Sequence, residues 1–300
     1  MTLGIFILFV EQGIVSGLVT GSIYALLALA LVIIFKVSEV PNFAQGAIYM
    51  AAAYIGLFLI VFKQIPAVLA LPLTLFTCFL GMALFQQLVL KRVWKAKGSP
   101  VNLVIATLGF SYLLTGLVTQ TGYGNTPRTF PSLVSSNEFM IGQASLTYLG
   151  LLILAVSSGV MIGLFLLFNF TQFGRGLRAL GMNPRAAQLV GIHLSRMQMI
   201  IWGLSGAISA IAAILIAPKL LITPDMGNIV IMAFAAAIIG GFNSLPGAVV
   251  GGFIIGIAEN FVGLFISSQA IQVAPFVAIF IVLLVRPQGL FGGRAMIKKV

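Results

Sequence analysis

Nine apolar runs organise the chain. They lie near 14–35, 47–62, 66–90, 101–121, 146–170, 197–217, 228–241, 247–266 and 271–285, divided by short polar or basic stretches. A helix that crosses a bilayer needs about 20 apolar residues at 1.5 Å of rise each. The run at 228–241 is short on that scale and reads as a broken or tilted helix. Residues 3–10 form one more apolar stretch, ended by Glu11, Gln12 and Gly13, which reads as an interfacial or short extra helix. The pattern predicts an all-α polytopic membrane protein with roughly eight to ten transmembrane helices, some short or broken.

Composition removes the soluble alternatives. Of 300 residues, 60% are apolar and 7% charged, against roughly 25% charged in a soluble domain. Such a chain belongs in lipid, where a helix satisfies its own backbone groups. It reads as a single membrane domain over 1–300. Met1–Gly4 lacks a basic n-region and a small-residue cleavage site, so it reads as the start of that domain and not as a secretory signal. Cys78 is the single cysteine, which excludes an intrachain disulfide and a thiol metal cluster.

The net charge of +11 does not point to nucleic acid. The basic residues sit in clusters between apolar runs, as orientation signals do. With nine crossings, one side receives Lys36, Lys91, Arg92, Lys95, Lys97, Arg175, Arg178, Arg185, Arg196, Arg286, Arg294, Lys298 and Lys299. The other receives only Lys63, Arg128 and Lys219. The positive-inside rule then puts the 91–100 loop, the 171–196 loop and the C-terminus in the cytoplasm, with 122–145 outside. The 33 glycines include the runs Gly203–Ala207 and Gly247–Gly252, which in lipid mark close helix–helix approach.

Two interruptions share a pattern. Asn42–Ala47 follows Pro41, and Asn243–Ala248 contains Pro246; each sets an Asn five residues before an Ala that follows Gly. Irregular backbone at membrane depth is tolerated only against protein or a water-filled cavity. Asn42, Gln45, Tyr49 and Asn243 are therefore the candidate lining of a translocation path, and tight cytoplasmic turns between helices are the alternative. The likeness of the two segments hints at an internal repeat, which six residues are too few to establish.

Catalytic signatures do not appear. The sequence has no HExxH, no GxSxG and no phosphate loop of the form GxxxxGK followed by Ser or Thr. His193 is the single histidine and falls in a loop, Glu259 lies toward the outer end of its segment and Glu39 three residues after Lys36 near the cytoplasmic edge, so the sequence offers no membrane-buried acid–histidine chain for a proton relay. The chain reads as a non-enzyme without a cofactor or metal of its own. If ATP drives transport, another polypeptide hydrolyses it.

The stretch 173–197, FGRGLRALGMNPRAAQLVGIHLSRM, is the most informative. Asn183 suits an N-cap, Pro184 the first helical position and Gly191 the left-handed position after the last turn. The short helix offers Ala186, Ala187, Leu189 and Val190 to a partner groove; packing back on its own bundle is the alternative.

Here the chain resembles a known family, the permease subunits of bacterial branched-chain amino-acid ABC importers. The resemblance rests on GSIYALLALALVIIFKVSEVPNFAQGAIYMAAAYIG at 21–56, GRGLRALGMNPRAAQLVGIHLSRM at 174–197, IIGGFNSLPGAVVGGFIIGIAEN at 238–260, and the ending RPQGLFG at 286–292. It implies an importer-permease fold shared with simple-sugar permeases and a place in the bacterial inner membrane. It also implies a second similar permease subunit, two cytoplasmic ATPases that bind ATP and Mg, and an external solute-binding protein. By that resemblance 171–196 is the coupling loop, with Gly174, Arg175, Arg178, Asn183, Ala186, Ala187, Val190 and Gly191 as its ATPase-coupling residues. Arg175 and Arg178 orient the loop or meet the ATPase, or only mark topology. The importer motif has Glu–Ala–Ala where this chain has Arg185–Ala186–Ala187, so no role of the glutamate carries over. Expected solutes are branched-chain or other neutral amino acids, with urea or short amides as the alternative. The rival class is a stand-alone ion-coupled carrier.

Overall fold

A computed structural model describes residues 3–96, 99–132, 134–135 and 137–292. Lys97, Arg294, Lys298 and Lys299, counted above for orientation, lie outside the described residues. Seven helices are long and apolar enough to cross a membrane: Gly4–Ser38, Gln45–Phe62, Ala67–Lys95, Pro100–Gln120, Tyr148–Phe170, Leu194–Lys219 and Leu245–Phe265. Two more, Pro224–Gly240 and Ala270–Val285, fall among the shorter apolar helices. Each of the nine expected segments thus has its helix.

In chain order the helices are α1 (Leu3–Ser38), α2 (Gln45–Leu57), α3 (Ala67–Phe85), α4 (Lys91–Lys95), α5 (Pro100–Gln120), α6 (Tyr148–Phe170), α7 (Gln172–Met182), α8 (Pro184–Leu189), α9 (Leu194–Ile216), α10 (Val230–Gly240), α11 (Leu245–Phe265) and α12 (Ala274–Val285). Two π turns, Phe58–Phe62 and Gln86–Leu90, prolong α2 and join α3 to α4. A 3₁₀ turn at Pro224–Ile229 leads into α10, which accounts for the short apolar run there.

Residues 3–10 are not a separate helix. α1 runs through Glu11, Gln12 and Gly13 without a break, because long-range partners satisfy those polar groups. Strands β1 (Arg128–Thr129), β2 (Glu138–Ile141), β3 (Ala144–Thr147) and β4 (Leu221–Ile222) form two small antiparallel pairs, β1 with β4 and β2 with β3. The β2–β3 hairpin turns at Gly142, whose φ is +64°. Its Gln143 N–H donates to Glu11 Oε2 at 2.7 Å, and its Ser145 N–H donates to Gln12 Oε1 at 2.9 Å. The apolar pattern saw 122–145 only as a loop.

The core is built on α1, α2, α9 and α10, whose side chains are the most buried. α1 packs most extensively against antiparallel α11. Gly17 and Gly21 face Gly252 and Gly256, two glycine pairs at four-residue spacing. A Cβ on Gly256 would strike the Gly21 backbone, so only glycine lets these helices touch backbone to backbone. α5, α6 and α12 turn large apolar side chains outward, such as Tyr112, Phe170 and Leu284. Outward apolar faces on an otherwise packed bundle are those of a multi-pass membrane protein.

The RPQGLFG ending has a structural task. Leu290 N–H donates to the Ile239 carbonyl at 2.7 Å and Phe291 N–H to the Gly240 carbonyl at 3.1 Å. Carbonyls at the end of a helix lack intrahelical partners, and this segment supplies them to α10. Gly241 and Gly289, both at positive φ (+96° and +80°), let the two backbones meet.

Candidate functional site

Three places carry the chemistry singled out above: the α7–α8 elbow, the α1–α2 break and the α10–α11 break.

The elbow begins at Thr171, whose Oγ1 accepts from Gly174 N–H at 3.2 Å. Gly174 is buried because α7 turns back on the end of α6 there: a Cβ would collide with the Phe168 carbonyl. α7 is amphipathic, burying Gly174, Gly176, Leu177 and Leu180 on one face. Arg178 donates through Nη1 to the Phe168 carbonyl and through Nη2 to the Asn169 carbonyl at 3.4 Å. A guanidinium at the end of α6 pairs orphan carbonyls and complements the helix dipole. Arg178 therefore holds the loop to the helix. Arg175 instead lies exposed beside Arg196 and His193, on an open cleft of about 550 Å³.

α8 forms as the local signals require. Asn183 Oδ1 accepts from Ala186 N–H at 3.1 Å, and Pro184 occupies the first helical position. At the far end Ile192 N–H donates to the Ala187 carbonyl and Gly191 N–H to the Gln188 carbonyl, each at 3.0 Å, with Gly191 at φ +87°. That double bond with a left-handed glycine is the Schellman closure. The expectation of one apolar face is corrected at a single residue. Ala187 is buried, 4% exposed, against its own protein, whereas Ala186 points outward and Leu189 and Val190 are 89% and 76% exposed. Two bare aliphatic side chains thus stand at the tip of a helix that is stopped at both ends. A second cleft, of about 620 Å³, runs beside them, with Lys91, Lys95, Gln188 and His193 on its walls.

The α1–α2 break is closed. Asn42, Gln45, Tyr49, Ser205 and Ser209 are all fully buried. Asn42 Nδ2 donates to Gln45 Oε1 at 2.8 Å, and Ser205 Oγ is 3.1 Å from the same oxygen. Gln45 Nε2 donates to Ser209 Oγ, and Ser205 Oγ also reaches the Ala30 carbonyl at 3.0 Å. Asn42 Oδ1 accepts from Ala44 N–H at 3.0 Å, in the turn just before α2. The network ties α2 to α9 through side chains and reaches α1 at the Ala30 carbonyl. Tyr49 lies one turn on, and its hydroxyl is sealed with no hydrogen-bond partner in the described residues.

Asn243 does not join this group. It is exposed in the turn before α11, where Ser244 Oγ, not the asparagine, caps Gly247 N–H at 3.0 Å. It borders a separate pocket of about 350 Å³ shared with Lys36, Glu39, Asn169, Leu177 and Arg178. The two Asn segments are alike in sequence and unlike in surroundings, because only the first is covered by α9.

The family model of the branched-chain amino acid transport system, permease component, matches residues 13–285. The chain belongs to this family. It is 29% identical over 302 residues to the high-affinity branched-chain amino acid transport system permease protein BraD of Pseudomonas aeruginosa, covering 96% of this chain and 97% of that protein. It is 34% identical to the probable branched-chain amino acid transport permease protein LivH of Methanocaldococcus jannaschii, over 86% of this chain and 83% of the relative. A more limited similarity, 30% over 59% of this chain and 53% of the other, links it to the L-arabinose transport system permease protein AraH of Escherichia coli. No solved structure matches.

Within this branched-chain permease, the sequence pattern does not single out Ser205, Ser209 or Lys36 as site members. The two serines were visible only as small residues in Gly203–Ala207 and just beyond; their four-residue spacing on one helix face was the available signal. Ala187 and Leu189 do not share one surface, because positions two apart on a helix point to different sides.

Proposed function

We propose that this chain is one permease subunit of an ATP-driven importer of branched-chain or other neutral amino acids. The observation that carries the reading is α8: a helix fixed by Asn183 and Gly191 that exposes Leu189 and Val190, in a chain of the branched-chain permease family. Exposed aliphatic side chains on so short a helix suit a partner groove, since the helix is marginal alone in water. The end that carries α8 gathers cations from distant sequence clusters: Lys36 with Arg178, Lys91 with Lys95, and Arg175 with Arg196. That end faces the cytoplasm by the positive-inside rule, and the C-terminus lies with it.

Two ATPase subunits bind ATP and Mg there, because this sequence offers no phosphate loop. A second, similar permease subunit completes the channel, and a solute-binding protein delivers the solute at the β2–β3 end. ATPase closure moves α8. The movement passes through α7 and the Arg178 clasp into α6, and directly along the chain into α9. The polar node of Gln45 with Ser205 and Ser209 is where α9 holds the break between α1 and α2, so it is the place where an α9 displacement opens or closes the path.

The test is uptake by the whole complex, expressed with its partner subunits and reconstituted in lipid. Labelled leucine enters only with ATP and the binding protein, and unlabelled valine or isoleucine competes. Competition by urea and not by valine would reassign the solute, and uptake by this chain alone without ATP would replace the importer with a stand-alone carrier. Leu189→Asp is expected to keep ATPase activity while uptake falls about tenfold or more, since a buried unpaired carboxylate costs the groove several kcal/mol. Normal uptake in that variant would sink the docking role of α8.

A further inference from the structure

The pocket bordered by Asn243 is separate from the buried node and from the exposed face of α8. It lies where the end of α1, the end of α6, α7 and the α10–α11 turn converge. Its cavity of about 350 Å³ falls in the range of about 300–1,000 Å³ typical of small-molecule sites. Its chemistry is divided. Phe35, Phe168, Leu177 and Leu245 give it an apolar wall, while Lys36 and Arg178 bring two cations to the same lining and Glu39 one carboxylate. Two cations on one pocket favour an anion, and a carboxylate that reaches a lysine and an arginine forms charge-assisted hydrogen bonds. Arg178 already spends two donors on the α6 carbonyls, so its position is fixed for that contact.

The geometry points to a site for a monocarboxylate with an aliphatic tail, which on the functional reading above is the transported amino acid bound from the cytoplasmic side. Its carboxylate sits at Lys36 and Arg178, and its aliphatic side chain lies against Phe168 and Leu177. The Glu39 carboxylate at the rim lowers the local positive charge, which favours a zwitterion or monoanion over a phosphate dianion. Occupancy would bridge α1 to α7 and the α10–α11 turn, restraining the elbow that carries α8. Accumulated solute thereby slows its own import. The inference rests on the amino-acid reading but concerns a site outside the translocation path.

The experiment uses the complete complex in proteoliposomes with its ATPases facing the bulk, and binding protein and labelled leucine in the lumen. Leucine added to the bulk is expected to slow binding-protein-stimulated ATP hydrolysis about fivefold at saturation, whereas leucinamide, which lacks the carboxylate, has no effect. Lys36→Gln should require about tenfold more leucine for the same slowing, the loss of one charge-assisted bond. Asn243→Asp, which sets a negative charge on the rim, should shift the response the same way. Equilibrium dialysis of labelled leucine against the complex without binding protein gives the affinity directly. Export of lumenal leucine to the bulk with no slowing or binding from that side overturns the site and leaves the functional reading intact. An unchanged response in both variants also overturns it, and so does slowing by inorganic phosphate but not by leucine, which would assign the pocket to a phosphate headgroup. Failure to transport any amino acid overturns the functional reading and the site with it.

Discussion

The α1–α2 break and the α10–α11 break start from nearly the same residue pattern and are secured by opposite means. At the first, side chains do the holding: Asn42, Gln45, Ser205 and Ser209 close a hydrogen-bonded set with no solvent exposure. At the second, backbone does it: the Ile239 and Gly240 carbonyls accept from Leu290 and Phe291, and Gly241 and Gly289 let the segments touch. Asn243 stands outside that contact, open to solvent. An asparagine beside a helix start thus becomes part of a core only where another helix covers it. A side-chain network at membrane depth is replaceable piece by piece and can exchange partners during a conformational cycle. A backbone clasp is either seated or released.

Substitutions can break this contrast. The largest effect is expected from Gln45→Leu, which strands the Asn42 amide in the core at a cost of up to about 3 kcal/mol. Melting of the purified complex should fall clearly and uptake should drop well over tenfold. If Gln45→Leu melts like the parent protein, the node is not what holds the first break. Next comes Gly289→Val. Its φ of +80° and the approach of Gly241 leave no room for a side chain, so a loss of about 2 kcal/mol is expected although the residue lies far from Gln45 in sequence. A protease-resistance assay of the C-terminal segment would detect the released clasp; an unaltered digestion pattern would count against it.

Asn183→Ala is intermediate, because that cap is used but exposed. It should cost about 1 kcal/mol and show as weaker coupling of hydrolysis to uptake, not as misfolding. Asn243→Ala should be the smallest, within about 0.5 kcal/mol, as for a surface position that makes no structural bond. A melting shift for Asn243→Ala as large as that for Gln45→Leu would erase the distinction between the two breaks.

What the sequence revealed and withheld follows the range of the forces involved. α8 was legible to the residue because Asn183, Pro184 and Gly191 act within one turn of chain. The nine apolar segments were legible because lipid reads hydrophobicity directly. The continuity of α1 through Glu11 and Gln12 was not, since it depends on a hairpin more than a hundred positions away. Nor was the burial of Asn42 against the exposure of Asn243, which is decided by where α9 lies. Ser205 and Ser209 were hidden for a similar reason: a serine in a small-residue stretch looks like packing until its partner is known. The RPQGLFG motif was recognised as a family ending, while its work on the α10 carbonyls emerged only from the fold.

One consequence of α1 concerns distance. Its 36 residues make an unbroken rod of about 54 Å, well beyond the roughly 30 Å of a hydrocarbon core. Its first turns grip the β2–β3 hairpin, and its last turn forms one wall of the Lys36 pocket. A rod that long joins the two ends of the molecule by one continuous hydrogen-bonded backbone. A displacement forced at the hairpin would have a direct route to Lys36, with no relay of side chains between them.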